Sequence, residues 1–202
     1  VNILTSTQAK AFKGSETVES VVCGDHEIPA DLVIVGIGIL PNTEMAEAAG
    51  LETNNGLVVD EHCRTSNEHI FAAGDCTNHP NPILNRRLRL ESVPNAMEQG
   101  RVAASNMLGG SKSYASMPWF WSDQYEHKLQ MVGFSKDSDQ SIVRGDMESK
   151  SFTVFYLKDD SIIAADSVNN PKEFMASKQL VGKKASIEAL ADTSIELKTL
   201  IN

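Results

Sequence analysis

The distribution of apolar positions changes character partway along the chain. The first hundred or so residues carry short continuous apolar runs that stop at glycine, whereas residues 127–167 alternate apolar and polar positions. Residues 1–40 read as β: the chain opens within a strand-like run (Val1-Asn2-Ile3-Leu4), and residues 18–23 run into the turn pair Gly24-Asp25 and then Glu27-Ile28-Pro29. Residues 31–38 form an apolar run closed by glycine, the pattern of a strand buried on both faces, as in a parallel sheet. Residues 42–50 predict a short helix with Asn42 or Thr43 as N-cap and Gly50 as its stop. Asn54-Asn55-Gly56 turns into a strand over 57–60, and Ile70-Phe71-Ala72-Ala73 reads as a further buried strand ending at Gly74-Asp75. An Asn- and Pro-rich loop is expected over 77–85. Pro94 in a first turn, Ala, Met and Val in the interior, and Gly109-Gly110 beyond predict a helix over 94–108.

After that glycine pair, the alternation of residues 127–167 predicts an antiparallel meander with one solvated face, followed by helices over 171–181 and 186–191. The boundary between the two textures falls near residues 109–116. Composition adds exclusions. The 202 residues amount to one large domain or two small ones, with 41% hydrophobic residues to build a core. The net charge of −9 disfavours general nucleic-acid binding through phosphates. No apolar run reaches the roughly 18–20 residues that span a membrane, and no secretory signal opens the chain. Three cysteines (Cys23, Cys63 and Cys76) are too few and too scattered for a disulfide framework or a zinc site. A reduced, cytoplasmic protein is expected. The start at Val1, without Met, suggests a processed chain or a fragment.

Few motifs decide anything alone. Gly36-Ile37-Gly38 follows an apolar run, but Pro41 stands where a dinucleotide fingerprint needs its third glycine, so the motif fails as a phosphate loop and taken alone reads as a tight turn where a buried strand leaves the sheet. Asp75 lies at the end of an apolar run, where open α/β sheets bind ligands, and Gly74 allows a close backbone approach. Asp75 either caps a loop or accepts a hydrogen bond from a sugar or ribityl hydroxyl. Ser92-Val93-Pro94-Asn95 opens a helix whose N-terminus suits an anionic or electron-rich ligand edge. Arg86, Arg87, Arg89 and Arg101 cluster within an acidic chain, as a solvated surface or as a docking face for an acidic partner. Trp119 and Trp121 belong either to core at a domain junction or to the wall of a planar cofactor.

The order of the motifs is more specific. Val35-Gly36-Ile37-Gly38 is followed by Asn55-Gly56-Leu57-Val58-Val59-Asp60, then Ile70-Phe71-Ala72-Ala73-Gly74-Asp75-Cys76, Arg89-Leu90-Glu91-Ser92, Gln99-Gly100-Arg101 and Pro118-Trp119-Phe120-Trp121-Ser122-Asp123-Gln124. Over nearly its whole length the chain resembles the C-terminal half of FAD- and NAD(P)H-dependent ferredoxin reductases. That group contains putidaredoxin reductase, rubredoxin reductase and the reductases of aromatic-ring dioxygenases, within the pyridine nucleotide-disulfide oxidoreductase superfamily.

The resemblance implies a fold of α/β remnants of dinucleotide-binding domains, followed by an α+β domain with an antiparallel sheet. Residues 1–41 would end an NAD(P)-binding domain, 42–113 would return to a FAD-binding domain, and 114–202 would form the C-terminal interface domain. It implies that Asp75 with Gly74 binds the ribityl chain of FAD, that the Val93 backbone meets the pyrimidine end of the flavin, and that Trp121 stands beside the isoalloxazine in a catalytic position. Gly36 and Gly38 would lie where the nicotinamide end of NAD(P)H passes, and Arg101 and Lys178 would face an acidic partner. The implied activity is electron transfer from NAD(P)H through FAD to a [2Fe–2S] ferredoxin or a rubredoxin, without metal or nucleic acid, and a homodimer is compatible with it. Nitrite or oxygen as acceptor, or a non-catalytic dimerisation or docking module, are the competing readings. Both glycine fingerprints lie upstream in relatives, so an isolated 202-residue chain is expected to bind neither FAD nor NAD(P)H tightly.

Overall fold

The computed structural model describes residues 1–201 and divides them into two units, residues 1–40 and residues 41 onward. The first unit holds a three-stranded antiparallel sheet of β1 (Ala9–Lys13), β2 (Ser20–Cys23) and β3 (His26–Pro29), in that order. Gly24-Asp25 forms the tight turn between β2 and β3, and Glu27 ties the sheet by accepting from Lys13 Nζ and Ser20 Oγ, both at 2.6 Å.

Two expectations fail in this unit. Residues 1–4 form no strand, and neither do residues 31–38; Ile34 and Ile37 are 89% and 92% exposed. A buried parallel strand draws its hydrogen bonds from neighbours on both sides. No described strand pairs with this run, so its apolar side chains have no sheet to cover them.

The second unit starts with α1 (Glu44–Ala48), capped by Thr43, whose hydroxyl bonds Glu47 at 2.7 Å instead of a free amide. The helix ends as its glycine predicts, with Leu51 N–H to Ala46 O and Gly50 N–H to Glu47 O, both 2.9 Å. A small mixed sheet follows, in the order β4 (Leu57–Val58), β5 (Thr77–Asn81), β6 (Arg86–Leu88). Residues 77–81 have the composition of a loop but form its central strand, parallel to β4 and antiparallel to β6. Thr77, His79 and Asn81 point inward, and polar side chains can occupy a strand interior where they find partners: Asn81 Nδ2 donates to Ser116 O at 2.9 Å. Conversely, the expected strand at 70–73 reduces to one bridge between Phe71 and Arg64. The Thr65 hydroxyl bonds Ile70 O at 3.0 Å and His69 N–H bonds Asn67 Oδ1 at 3.0 Å, so side chains compete for the backbone there.

Helix α2 (Val93–Met107) starts at Ser92, whose hydroxyl accepts from Asn95 N–H at 3.3 Å. It ends at Gly109-Gly110, which bond back to Asn106 O and Ser105 O, both at 3.0 Å. Its buried positions are Asn95, Gln99, Ala103 and Asn106: correct helical spacing, filled mainly by amides.

The alternating region folds as the expected antiparallel sheet but not as a meander, because its second strand pairs with its last, residues 164–168 lying against 129–133. Strands β7 (Trp119–Gln124), β8 (His127–Gly133), β9 (Gln140–Asp146), β10 (Ser151–Lys158) and β11 (Ser161–Val168) form an antiparallel sheet in the order β7-β8-β11-β10-β9. One face packs on α3 (Pro171–Leu180) and α4 (Ile187–Ala191), with Asn170 and Ser186 as their caps. Phe155, Leu157, Ile162, Phe174, Leu180 and Leu190 form the centre of this core. Buried Arg144 on β9 pairs with Glu173 at 2.7 Å and donates to Ile195 O at 2.8 Å, anchoring the chain after α4 to the sheet. Among the described residues no helix is long and apolar enough to cross a membrane.

Candidate functional site

The start of α2 leaves one backbone donor over. Pro94 has no N–H, Asn95 N–H is taken by Ser92 Oγ, and Ala96 N–H bonds Ser92 O at 3.0 Å. The Val93 amide has no acceptor among the described residues, and it sits where the helix concentrates about half a positive charge.

Two neighbouring clefts open at this point. One, of about 160 Å³, is lined by Glu91, Ser92, Val93, Phe120 and Trp121. The other, of about 250 Å³, is lined by Val93, Pro94, Met97, Arg101, Trp119 and Trp121 among others. Val93 and Trp121 are common to both. Trp121 is 41% exposed, and its ring centroid lies 5.6 Å from that of Trp119. Trp119 is fixed from behind by Phe174 at 5.7 Å and by Lys178, whose Nζ lies 4.2 Å from its ring centroid. Burial lowers the Lys178 ammonium pKa, and the Glu98 carboxylate opposes that shift. Arg101, one α2 turn beyond Met97, is exposed and makes no ion pair among the described residues.

The Gly74-Asp75 turn rests on the same helix. A Cβ built on Gly74 would lie 3.5 Å from Ala96 Cβ, and Gly74 itself has φ +90°, a conformation that side chains resist. Gly74 N–H donates to Gln99 Oε1 at 2.7 Å. Asp75 is exposed, and its carboxylate has no partner among the described residues, although its main-chain oxygen accepts from Arg89 at 3.3 Å.

Of the residues singled out from sequence, Val93, Trp121, Arg101 and Lys178 thus gather around the clefts, with Gly74 and Asp75 against the same helix. Gly36 and Gly38 belong to the first unit, where a Cβ at either position meets no atom within 4 Å. The arginine cluster is not one free face. Arg87 donates to Val59 O at 2.7 Å and to Asn78 Oδ1 at 3.0 Å. Arg89 pairs with Glu91 at 2.9 Å, and Arg86 lies 4.9 Å over the Phe134 ring. Trp119 backs the Trp121 ring, and residues to which the sequence assigns no role of their own also build the site, above all Gln99 and Asn95. Their signal is the spacing of amides at 95, 99 and 106 inside a helix.

Residues 1–100 match the model for pyridine nucleotide-disulphide oxidoreductases, and residues 119–201 match the reductase C-terminal model. The chain belongs to the pyridine nucleotide-disulphide oxidoreductase family. Among its relatives it is 46% identical to putidaredoxin reductase of Pseudomonas putida, over all of this chain and 49% of the relative. It is 44% identical to rhodocoxin reductase of Rhodococcus erythropolis, over 86% of this chain and 41% of the relative. A crystal structure of a ferredoxin reductase from Rhodopseudomonas palustris superposes with a TM-score of 0.90 at 38% identity, covering 97% of this chain and 50% of that one. The reductase in a covalent putidaredoxin reductase–putidaredoxin complex gives 0.88 at 45% identity, covering 96% and 48%. The chain therefore spans about half the length of the relatives it matches.

A flavin fits the donor set of the second unit. The unpaired Val93 amide, at the positive end of a fifteen-residue helix, complements an electron-rich ring edge. The unpaired Asp75 carboxylate complements hydroxyl groups, and the Trp121 ring offers a wall for a planar group.

Proposed function

We propose that this chain forms the partner-facing half of a flavoprotein that carries electrons from NAD(P)H through FAD to an acidic [2Fe–2S] ferredoxin. In this reading residues 1–41 close an NAD(P)-binding domain, 42–113 return to a FAD-binding domain, and 114–202 form the C-terminal domain. The observation that carries it is the meeting of the free Val93 amide and Trp121 in one cleft, with Arg101 and Lys178 beside it. The exposed apolar run of residues 32–37 supports the reading, because its composition is that of a parallel strand awaiting a dinucleotide-domain sheet.

Bound FAD would supply acceptance of a hydride from NAD(P)H and release of the two electrons singly to the iron–sulfur partner. The residues of this chain place and tune that group. Val93 N–H and the α2 N-terminus hold negative charge at the pyrimidine edge, in a geometry set before reaction by the Ser92 cap. Asp75 accepts from ribityl hydroxyls, bonds to a charged acceptor being worth about 1.5–3 kcal/mol. Trp121 excludes water from the ring face that the partner approaches. Arg101 and Lys178 supply positive charge to an acidic surface, raising the encounter rate more than the affinity. Gly36 and Gly38 are assigned to the nicotinamide path on the strength of the resemblance.

The test uses the full-length protein. It should purify with a flavin absorbance, bleach on anaerobic addition of NADH or NADPH, and pass the electrons to a [2Fe–2S] ferredoxin. A protein that holds flavin but reduces only oxygen contradicts the assignment of the partner.

A further inference from the structure

We propose that Gln99 is a positioning residue that sets the distance between the two flavin contacts of this chain, the Asp75 carboxylate and the Val93 amide; the inference rests on the flavoprotein reading above. Gln99 is fully buried, and its Oε1 accepts from Gly74 N–H at 2.7 Å; the Thr77 hydroxyl lies within reach of that oxygen, at 2.7 Å, and of Gly74 O, at 2.8 Å, and its single proton serves one of the two at a time. The amide nitrogen, Nε2, has no partner. Gly74 N–H can only donate, so the oxygen must face it, and the orientation of the amide is fixed. The Gly74-Asp75 turn is closed locally by Thr77 N–H to Gly74 O at 3.0 Å. Across to α2, the Gly74 amide is held by this one side chain.

Helix geometry then sets the spacing. Val93 and Gln99 lie six residues apart on one continuous helix, an axial distance of about 9 Å at 1.5 Å per residue. The segment is rigid, capped at Ser92 and anchored by Asn95, whose Oδ1 accepts from buried Tyr114 at 2.9 Å. Whatever holds the Gly74-Asp75 turn to position 99 therefore fixes the span between a ribityl-binding carboxylate and a ring-binding amide. Residue 99 touches the turn and not the ligand contacts themselves. It needs an acceptor at its end, whereas the unpaired Nε2 contributes no bond.

That asymmetry gives the test. Full-length apoprotein is titrated with FAD for Gln99→Met and Gln99→Glu, flavin fluorescence is followed, and unfolding of each apoprotein is recorded in parallel. Methionine keeps the length and removes the acceptor, and is expected to weaken FAD binding at least about tenfold in a protein still folded at the assay temperature. Glutamate, held as the neutral acid by burial, keeps a carbonyl oxygen for Gly74 N–H and is expected to restore the affinity to within about threefold of wild type, with the wild-type flavin absorption band. A merely structural role would lower apoprotein stability in both variants without this split in affinity. A folded Gln99→Met protein with wild-type affinity, or a Glu variant as weak as Met, overturns the inference. Should Gln99→Met not fold, Gln99→Asn decides: it keeps the amide but draws the acceptor back from Gly74 N–H by one methylene, and loss of affinity supports the inference whereas unchanged affinity overturns it. A wild-type protein that binds no FAD overturns the reading beneath; FAD bound equally by wild type and variants overturns this inference alone.

Discussion

Around Phe155 the interior is hydrocarbon, with Val132, Leu157, Ile162, Phe174, Leu180 and Leu190 packed between one sheet face and two helices. Around Gln99 it is amide, hydroxyl and imidazole: Thr77, His79, Asn81, Asn95, Gln99 and Asn106 are all buried, beside a small apolar cluster of Cys63, Ala103 and Tyr114 with Phe71, Ala73 and Val102 against it. The two regions differ in what their contacts determine. An apolar core fixes volume and contact but no bond direction, because burial is non-directional. Each amide on α2 instead binds a particular loop: Asn95 bonds Leu90 O, Gln99 the Gly74 turn, and Asn106 the oxygens of His62 and Lys112. The proposed flavin contacts belong to the directional region, and the Trp119–Trp121 wall is built on the hydrocarbon one.

Hollowing out the hydrocarbon region should have the greatest effect. Phe155→Ala should destabilise the C-terminal sheet by about 3–5 kcal/mol, read as a lower urea midpoint by the fluorescence of Trp119 and Trp121. A loss below about 1 kcal/mol would mean that this core is not what holds the sheet.

The polar region should reveal itself by pH. His79 is buried with both ring nitrogens unpaired, and burial first, then nearby Arg87, lowers its pKa from 6.5 to about 4. The folded chain thus refuses a proton that the unfolded chain accepts between those values. Stability is full above about pH 6.5 and falls as pH drops toward about 4, by roughly 3 kcal/mol. Urea unfolding of His79→Leu at pH values near 7 and 4.5 should show a smaller loss on acidification than wild type. Parallel losses would contradict the assignment.

Smaller effects sharpen the picture. Gly74→Ala should cost about 1–2 kcal/mol through φ +90°, since Ala96 lies at an ordinary contact distance from the new methyl group. It should also weaken flavin binding, because the strained turn carries Asp75. Lys178→Met should change stability by about 1 kcal/mol, the scale of one partly buried cation–π contact. Its ferredoxin dependence should shift toward higher partner concentration, with less effect of added salt than in wild type. Unchanged salt dependence would remove Lys178 from the partner surface.

The hydrocarbon region is largely legible in the sequence, because β10 alternates inward Thr153, Phe155 and Leu157 with outward neighbours and Asn170-Pro171 announces its helix. The polar region is legible by motif but not by pattern. Thr77-Asn78-His79-Pro80-Asn81 has loop composition and becomes a strand in which the inward Thr77 and Asn81 side chains meet tertiary partners that no local rule contains. Asp31–Gly38 misleads in the opposite sense: its apolarity promises burial, and among the described residues no strand pairs with it. Arg87 and Arg89 look available by charge, yet Val59, Asn78 and Glu91 occupy them. Val93 and Trp121 stand out by resemblance, and their shared cleft depends on β7 lying beside the start of α2.

The proposed function turns on that cleft, and Trp121→Ala in the full-length protein probes it most directly. Stopped-flow traces should follow flavin reduction by NAD(P)H and ferredoxin reduction as separate steps. A large slowing of ferredoxin reduction is expected, with hydride transfer little changed; equal losses in both steps, or none in either, would contradict the role given to Trp121.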